Sequence, residues 1–112
     1  MSRRTERVAE LLRDEIARVL REEITDPRIG LTTLTRVDVA PDMSHAVVFW
    51  SGLETPDAEM VLTHSAGLDS ASGRVRTLIA KRLSLRKMPA LRFQHDPSLD
   101  LGDRTLGLLE RL

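Results

Sequence analysis

Residues 31–51, LTTLTRVDVAPDMSHAVVFWS, decide the fold because they predict two strands joined by a tight turn. PDMS at 41–44 has turn chemistry, since proline presets the backbone for a reversal and aspartate stabilises one. HAVVFWS at 45–51 is apolar at nearly every position, which is typical of a central strand. The stretch therefore predicts a β-hairpin whose second strand lies inside a sheet.

The first strand of this hairpin, residues 31–40, is rich in β-branched residues. Strict alternation places four side chains on its buried face: Thr33, Thr35, Val37 and Val39. Arg36 and Asp38 then point away from the core. A strand with one apolar and one polar face is half-buried, so we expect helices to cover only one side of the sheet.

An amphipathic helix is predicted before the hairpin, over residues 4–24. Its apolar residues recur at steps of three and four: Val8, Leu12, Ile16, Val19 and Leu20. We expect Thr5 or Ser2 to cap its N-terminus. TDPRIG at 25–30 ends the helix, because Pro27 cannot continue it, and we expect Asp26 and Arg28 to fix this exit by a turn and an ion pair.

After the hairpin, a second helix is expected to begin near Asp57. SASG at 70–73 interrupts its pattern, because serine favours caps and turns and a helical glycine costs about 1 kcal/mol relative to alanine. We therefore predict a break or a kink there, followed by a new helix over about 74–83. Pro89 closes the connection to a short third strand, ALRFQ, which a helical crossover makes parallel to the second strand.

The order helix, strand, strand, helix, kink, helix, strand predicts a single α+β domain over residues 1–112, with helices on one face of a three-stranded mixed sheet. The chain has no cysteine, which excludes disulfides and zinc–thiolate sites. It has no apolar run long enough for a membrane span, so we expect a cytoplasmic protein. Only three aromatic residues are present (Phe49, Trp50 and Phe93), which argues against a base-stacking platform.

Basic charge is concentrated in one segment, although the chain has 17 basic and 17 acidic residues and no net charge. Residues 74–95 contain no acidic side chain and seven basic ones: Arg74, Arg76, Lys81, Arg82, Arg86, Lys87 and Arg92. Residues 37–73 contain six acidic side chains and no basic one. Because charges beyond about 8 Å are largely screened, phosphate binding depends on the local field. A cationic RNA-binding face and a solvated surface paired with the acidic segment both fit this pattern.

Helical spacing sorts the basic residues of 74–83. Arg74 and Lys81 fall within about 20° of each other, since seven residues are almost two turns. Arg76 lies on the opposite flank. Arg82 falls in the apolar arc, so either its stem extends to the surface or the helix ends before it.

The kink adds a second argument for phosphate binding. A helix starting near Gly73 would direct free backbone N–H groups outward, which favours a nearby phosphate. The small residues Ala71, Ser72 and Gly73 would let an RNA backbone approach closely. The alternative is that Ala71 and Gly73 are small so that two helices can pack tightly.

The chain resembles the ribosome-binding factor A family, which has a type II KH-like fold. The resemblance rests on RVAELLRDEIARVL (7–20) with DPR (26–28), on VDVAPDMSHAVVFWS (37–51), and on ASGRVRTLIAKRLSLRKMPALRFQHD (71–96). In that family an Ala-x-Gly kink replaces the GxxG loop of other KH domains, and here it corresponds to Ala71-Ser72-Gly73. The sequence contains no GxxG and ends at Leu112, without the C-terminal tail of longer members.

The resemblance implies a bacterial assembly factor that binds the small (30S) ribosomal subunit and its 16S rRNA during late maturation and rRNA processing, near the decoding region and the 5′ end. It implies a monomer that acts by binding, with no catalytic residue, metal or cofactor. The candidate RNA-binding residues are Ala71, Ser72, Gly73, Arg74, Arg76, Lys81, Arg82, Arg86 and Lys87. Arg3, Arg4 and Arg7 either widen this surface or are simply solvated.

Two other functions are less well supported by the residues. A ribonuclease needs metal ligands or acid–base residues beside the basic surface, and residues 70–95 offer only His95; His45 and His64 also lack ligand spacing. Asp96, Asp100 and Asp103 do not fit an EF-hand loop and are expected in caps and turns. A protein-interaction module would use the acidic segment and an exposed face formed by Leu106, Leu109 and Leu112.

Overall fold

The computed structural model describes residues 3–29, 32–52 and 58–97. Its elements are α1 (Arg3–Glu22), β1 (Thr32–Val39), β2 (His45–Gly52), α2 (Ala58–Arg82) and β3 (Ala90–His95). The sheet has the order β1-β2-β3, with β1 antiparallel and β3 parallel to β2. The predicted α+β class, the hairpin and the central position of its second strand are confirmed.

The core lies between the sheet and a single layer formed by the two helices. Its buried side chains come from every element and include Val8, Leu12, Ile16 and Val19 of α1, Val37 and Val39 of β1, Ala46, Val48 and Trp50 of β2, Leu68, Val75 and Ile79 of α2, and Phe93 of β3. Thr5 is also buried within α1, so it is not the expected cap, and Ser2 lies outside the described residues. Among the described residues, no helix combines the length and apolar character needed to cross a membrane.

A β-bulge corrects the predicted alternation of β1. The pairing with β2 shifts between Leu34 and Arg36, which leaves Thr35 as an extra residue. Val37 is buried as predicted, but before the bulge Leu34 rather than Thr33 is buried. The placement of Thr33 and Thr35 on the core face is therefore wrong, because one extra residue moves every side chain before it to the other face.

The hairpin turn confirms the turn chemistry expected at residues 41–44. The Met43 amide donates to the Ala40 carbonyl at 2.8 Å, and Met43 has a positive φ of 63°. Asp42 Oδ1 accepts from the backbone amide of Ser44 at 3.0 Å and from its hydroxyl at 2.6 Å. These hydrogen bonds, with a smaller contribution from the Lys87 charge, hold the pKa of Asp42 below its ordinary value.

The break predicted at residues 70–73 is not present, and the separate helix over 74–83 is wrong. One helix runs from Ala58 to Arg82. The Ser72 hydroxyl, which was expected to favour a helix end, instead donates to the Asp69 carbonyl at 2.8 Å, and Thr77 Oγ1 donates to the Gly73 carbonyl at 3.0 Å.

Packing explains why α2 continues through a segment of low helical propensity. Leu68, Ala71, Val75 and Ile79 recur at steps of three and four, and all are buried against the core. Burying a side chain such as leucine or isoleucine contributes about 1.5–3 kcal/mol, which exceeds the roughly 1 kcal/mol cost of one helical glycine. Tertiary contacts therefore override the local preference of SASG.

The chain after α1 makes the turn and the Asp26–Arg28 ion pair that DPR predicted, and it also lies close against α2. Arg28 Nη2 donates to Asp26 Oδ2 at 2.6 Å, and the Arg28 backbone amide donates to Asp26 Oδ1 at 2.9 Å. These hydrogen bonds lower the pKa of Asp26. Gly67 of α2 permits the close approach, because a Cβ there would lie 2.8 Å from Arg28 Cβ and 3.2 Å from the Ile29 amide nitrogen.

Candidate nucleic-acid interface

Arg74 and Lys81 form an open basic flank on α2. Both side chains are exposed, and their seven-residue spacing places them on the same side of the helix. Neither makes a hydrogen bond or ion pair with another residue of the described chain. Their guanidinium and ammonium groups are therefore available to a phosphate.

Arg76 and Arg82 are engaged inside the molecule. Arg76 donates from Nε to the Pro89 carbonyl at 3.1 Å and from Nη2 to the Met88 carbonyl at 2.9 Å. Arg82 donates from Nη2 to Glu23 Oε1 at 3.2 Å. A second ion pair joins Arg82 Nη1 to Glu15 Oε2 at 3.7 Å. These two arginines hold α2 to the segment before β3 and to α1, and a contact between them and RNA stays a prediction.

The Ala71-Ser72-Gly73 segment differs from the expected kink. Its backbone is helical, so no new helix N-terminus directs free N–H groups outward there. Ala71 is buried, as the tight-packing alternative requires. Gly73 is exposed, and a Cβ added to it would meet nothing within 4 Å. Tight packing therefore explains why the side chain at position 71 is small, but it does not explain the glycine at position 73.

A groove of about 510 Å³ separates this segment from the end of α1. Its lining consists of Glu23, Ile24, Thr25, Asp26, Ser70, Ala71 and Arg74. Both acidic residues of the lining are already paired, Glu23 with Arg82 and Asp26 with Arg28. Arg74 therefore gives the groove an uncompensated positive charge.

A second basic cluster surrounds a cavity of about 500 Å³ between the start of α1, the hairpin turn and the α2–β3 connection. It is lined by Arg4, Val8, Pro41, Asp42, Met43, Leu85, Arg86 and Lys87. Arg4 lies far in sequence from Arg86 and Lys87, and the fold brings the three predicted RNA-binding residues around one site. Arg3 and Arg7 are exposed on the first turns of α1.

The sheet face opposite the helices carries a cation–π contact that was not predicted from the sequence. The Arg36 guanidinium lies 4.3 Å from the centre of the Phe49 ring, and its Nε is 3.4 Å from Asp38 Oδ2. Arg92 of β3 is exposed and pairs in register with Val47 on β2. Alternation along β1 had placed Arg36 on this outer face, and the same alternation along β2 is the signal that places Phe49 beside it.

Two of the three histidines pack against the buried tryptophan of the core. His64 and His95 lie beside the Trp50 ring, with ring centroids at 5.8 and 4.9 Å, and His64 Nδ1 is 2.6 Å from the Arg28 carbonyl. Within the described part of the chain, no group of three acidic or histidine side chains could hold a metal ion. Asp96 accepts a hydrogen bond from Thr35 Oγ1 at 2.7 Å. The expectations for Asp100, Asp103, Leu106, Leu109 and Leu112 fall outside the described residues.

Comparison with known proteins by sequence points to one family. The ribosome-binding factor A family model matches residues 4–109. The ribosome-binding factor A of Alkalilimnicola ehrlichii is 41% identical over 107 residues, which are 96% of this chain and 82% of that relative.

Solved structures share the fold. The crystal structure of ribosome-binding factor A from Thermus thermophilus has a TM-score of 0.70 at 23% identity, covering 81% of this chain and 94% of that one. A homology model of the Thermus thermophilus factor, fitted into a cryo-electron microscopy map of a complex of that factor with the 30S subunit, has a TM-score of 0.59 at 21% identity, covering 88% of this chain and 97% of that one. Because the family match runs over nearly the whole sequence, this chain belongs to the ribosome-binding factor A family.

Proposed function

We propose that this protein is an assembly factor that binds the 30S ribosomal subunit by contacting the phosphate backbone of its 16S rRNA. The observation that carries the proposal is the pair of exposed cations, Arg74 and Lys81, which lie on one flank of α2 and have no ion-pair partner within the described part of a chain with no net charge. Arg3, Arg4, Arg7, Arg86 and Lys87 extend the contact surface. Arg76 and Arg82 are left out because their donors serve the fold.

Gly73 supports the same surface. A glycine inside a helix costs about 1 kcal/mol relative to alanine, and the open space around Gly73 shows no packing reason for that cost. An RNA backbone can approach a glycine more closely than any other residue. Gly73 therefore fits a contact with RNA beside Arg74, without the GxxG clamp of other KH domains.

The proposed action needs no catalysis. A factor that binds one conformation of the RNA more tightly shifts the population toward it. The monomer would act in the cytoplasm during late maturation and rRNA processing, near the decoding region and the 5′ end of the 16S rRNA. It would leave once the subunit is complete, and it would need no metal or cofactor.

The test is co-sedimentation with purified immature and mature 30S subunits across a salt series. Arg74→Glu/Lys81→Glu is compared with Arg13→Glu/Arg92→Glu, which makes the same charge change at two exposed positions away from the α2 flank. We expect the α2 variant to bind at least about tenfold more weakly and its plot of log affinity against log salt to be shallower by roughly 1.5, as for two lost phosphate contacts. The control variant should bind like wild type, and immature subunits should bind more tightly than mature ones.

Two results would contradict the proposal. Salt-independent binding would show that phosphate contacts do not hold the protein on the subunit. Equal losses in the two variants would show that net charge, rather than the α2 flank, controls binding.

A further inference from the structure

Building on RNA binding as the proposed function, we propose that the cavity at the start of α1 binds one unpaired RNA nucleotide. The base and ribose would lie on the apolar floor of the cavity, formed by Val8, Met43 and Leu85. The two flanking phosphates would contact its basic rim, formed by Arg4, Arg86 and Lys87. The ligand is thus a single-stranded segment of RNA rather than a duplex backbone.

The size and shape of the cavity favour this ligand. Its volume of about 500 Å³ lies within the range of about 300–1,000 Å³ that is typical of small-molecule pockets. A duplex presents sugars and phosphates on its outside while its bases stay paired and stacked, so it cannot fill such a concave site. An unpaired nucleotide can place its base inside and leave the chain at the rim.

The floor is apolar and held in position by the core. Val8 and Met43 are 7% and 8% exposed, and Leu85 is half-buried beside them. A methionine thioether is polarisable and packs favourably against aromatic rings, including those of bases. An aliphatic floor of this kind accepts one base without the exposed aromatic platform that this chain lacks.

The backbone at Met43 carries a cost that the turn alone does not require. Its φ of 63° is in the left-handed region, which costs a residue other than glycine roughly 1–2 kcal/mol. Glycine would form the same turn without this cost, but it would remove the side chain that lines the cavity. Strained residues that persist in this way are concentrated at binding sites.

The charge of the rim matches two phosphodiesters. Arg4, Arg86 and Lys87 contribute three positive charges and Asp42 contributes one negative charge, which leaves a net charge of +2 at the cavity. The Asp42 carboxylate already accepts two hydrogen bonds from Ser44, so it is held by the turn. Arginine guanidinium groups bind phosphate oxygens through two parallel hydrogen bonds, which suits a backbone crossing the rim.

The experiment uses methyl NMR of the full chain labelled at its methionines, of which there are four: Met1, Met43, Met60 and Met88. The Met43 methyl reports on the floor of the cavity, and Met60, which lines a different pocket, is the internal control. The protein is titrated with inorganic phosphate, uridine 5′-monophosphate, a single-stranded RNA hexamer and the same hexamer as a duplex. We expect the Met43 signal to shift with the monophosphate and the single strand, and much less with phosphate or duplex.

Matched variants test the rim. Arg86→Ala/Lys87→Ala should weaken binding of the single strand at Met43 by about tenfold or more, as for two lost phosphate contacts. Arg13→Ala/Arg92→Ala removes the same charge at exposed positions outside the cavity and should stay within about twofold of wild type. Urea midpoints of both variants establish that they are folded.

Each contrary result has a definite meaning. Equal shifts with phosphate and nucleotide, or with duplex and single strand, would overturn the nucleotide site. An unchanged Met43 signal while 30S subunits still co-sediment would also overturn it and leave the proposed function in place. A saturable Met43 shift in a protein that fails to bind subunits would retain the nucleotide site and reject the ribosomal function.

Discussion

Two sets of residues in α2 have the same chemistry and opposite surroundings. The engaged set, Gly67, Arg76 and Arg82, is held against the rest of the fold by a close approach, by hydrogen bonds and by ion pairs. The open set, Gly73, Arg74 and Lys81, faces solvent. Residue type therefore does not distinguish a side chain that stabilises the fold from one that is available to a partner. The distinction comes from what the fold places opposite each position.

Substitutions of the two glycines should differ most in their effect on the free energy of unfolding. In Gly67→Ala the new methyl overlaps Arg28 Cβ, and overpacking of about 1–3 kcal/mol outweighs the gain in helical propensity. Gly73→Ala meets no neighbour and should stabilise the protein by about 0.5–1 kcal/mol. Urea denaturation of both variants measures the difference. Stabilisation in both would contradict the close contact between α2 and the chain after α1.

Substitutions of Arg76 and Arg74 should differ less in their effect on the free energy of unfolding. Arg76→Ala removes two hydrogen bonds to the carbonyls of Met88 and Pro89, and we expect a loss of about 1 kcal/mol in the free energy of unfolding. Arg74→Ala breaks no hydrogen bond or ion pair in the described chain and should stay within about 0.5 kcal/mol of wild type. The measurement is again urea denaturation, with Arg76→Lys as an intermediate case because lysine cannot bridge both carbonyls in the same fork geometry. Equal stability of Arg74→Ala and Arg76→Ala would place Arg76 in the open set.

Arg82 should have a weaker, salt-dependent effect. Its pairs with Glu23 and Glu15 are partly exposed, so Arg82→Ala should cost about 0.5–1 kcal/mol at low salt. The cost should decline in 1 M salt, where the screening length is about 3 Å. Lys81→Ala is the matched control and should show no such dependence. A loss that salt does not change would assign the effect to packing of the Arg82 stem.

The smallest expected effect concerns acid stability at the turn that Gly67 approaches. The pKa of Asp26 is lowered in the folded protein from 3.8 by its hydrogen bonds with Arg28, so its ionised form stabilises the fold above that value. This stabilisation is lost as the pH falls through the folded pKa, below about pH 4. Urea midpoints between pH 7 and pH 2.5 should fall less in Asp26→Asn than in wild type. Asp14→Asn, on the exposed side of α1, should keep the wild-type profile.

The sequence predicted the parts of the fold in which local pattern and packing agree. The apolar spacing of α1, the apolar run of β2 and the DPR exit each had a single physical interpretation, and the structure confirms them. The break at 70–73 was wrong because the local preference of serine and glycine opposes the burial of Ala71 and Val75, and the burial is stronger. The bulge at Thr35 has no glycine or proline to mark it.

The candidate interface was only partly predictable for a different reason. Charge counting found the basic segment, but the partners of its arginines are distant in sequence, as the pairing of Arg82 with Glu23 shows. Helical spacing in 74–83 places Arg74 and Arg76 on opposite flanks, but it does not show which flank meets another part of the fold. The cavity joins Arg4 to Lys87 across most of the chain, so only the fold reveals it.

Trp50 gives the protein a built-in optical reporter. It is the one tryptophan in a chain without tyrosine, and its side chain is fully buried between an imidazole from α2 and another from β3. The two imidazoles contact Trp50 only when α2 has packed on the sheet and β3 has paired with β2. Of the two strand pairings in the sheet, this one joins the strands that are farther apart in sequence. Fluorescence during refolding therefore reports on this closure, whereas far-ultraviolet circular dichroism reports on the formation of both helices.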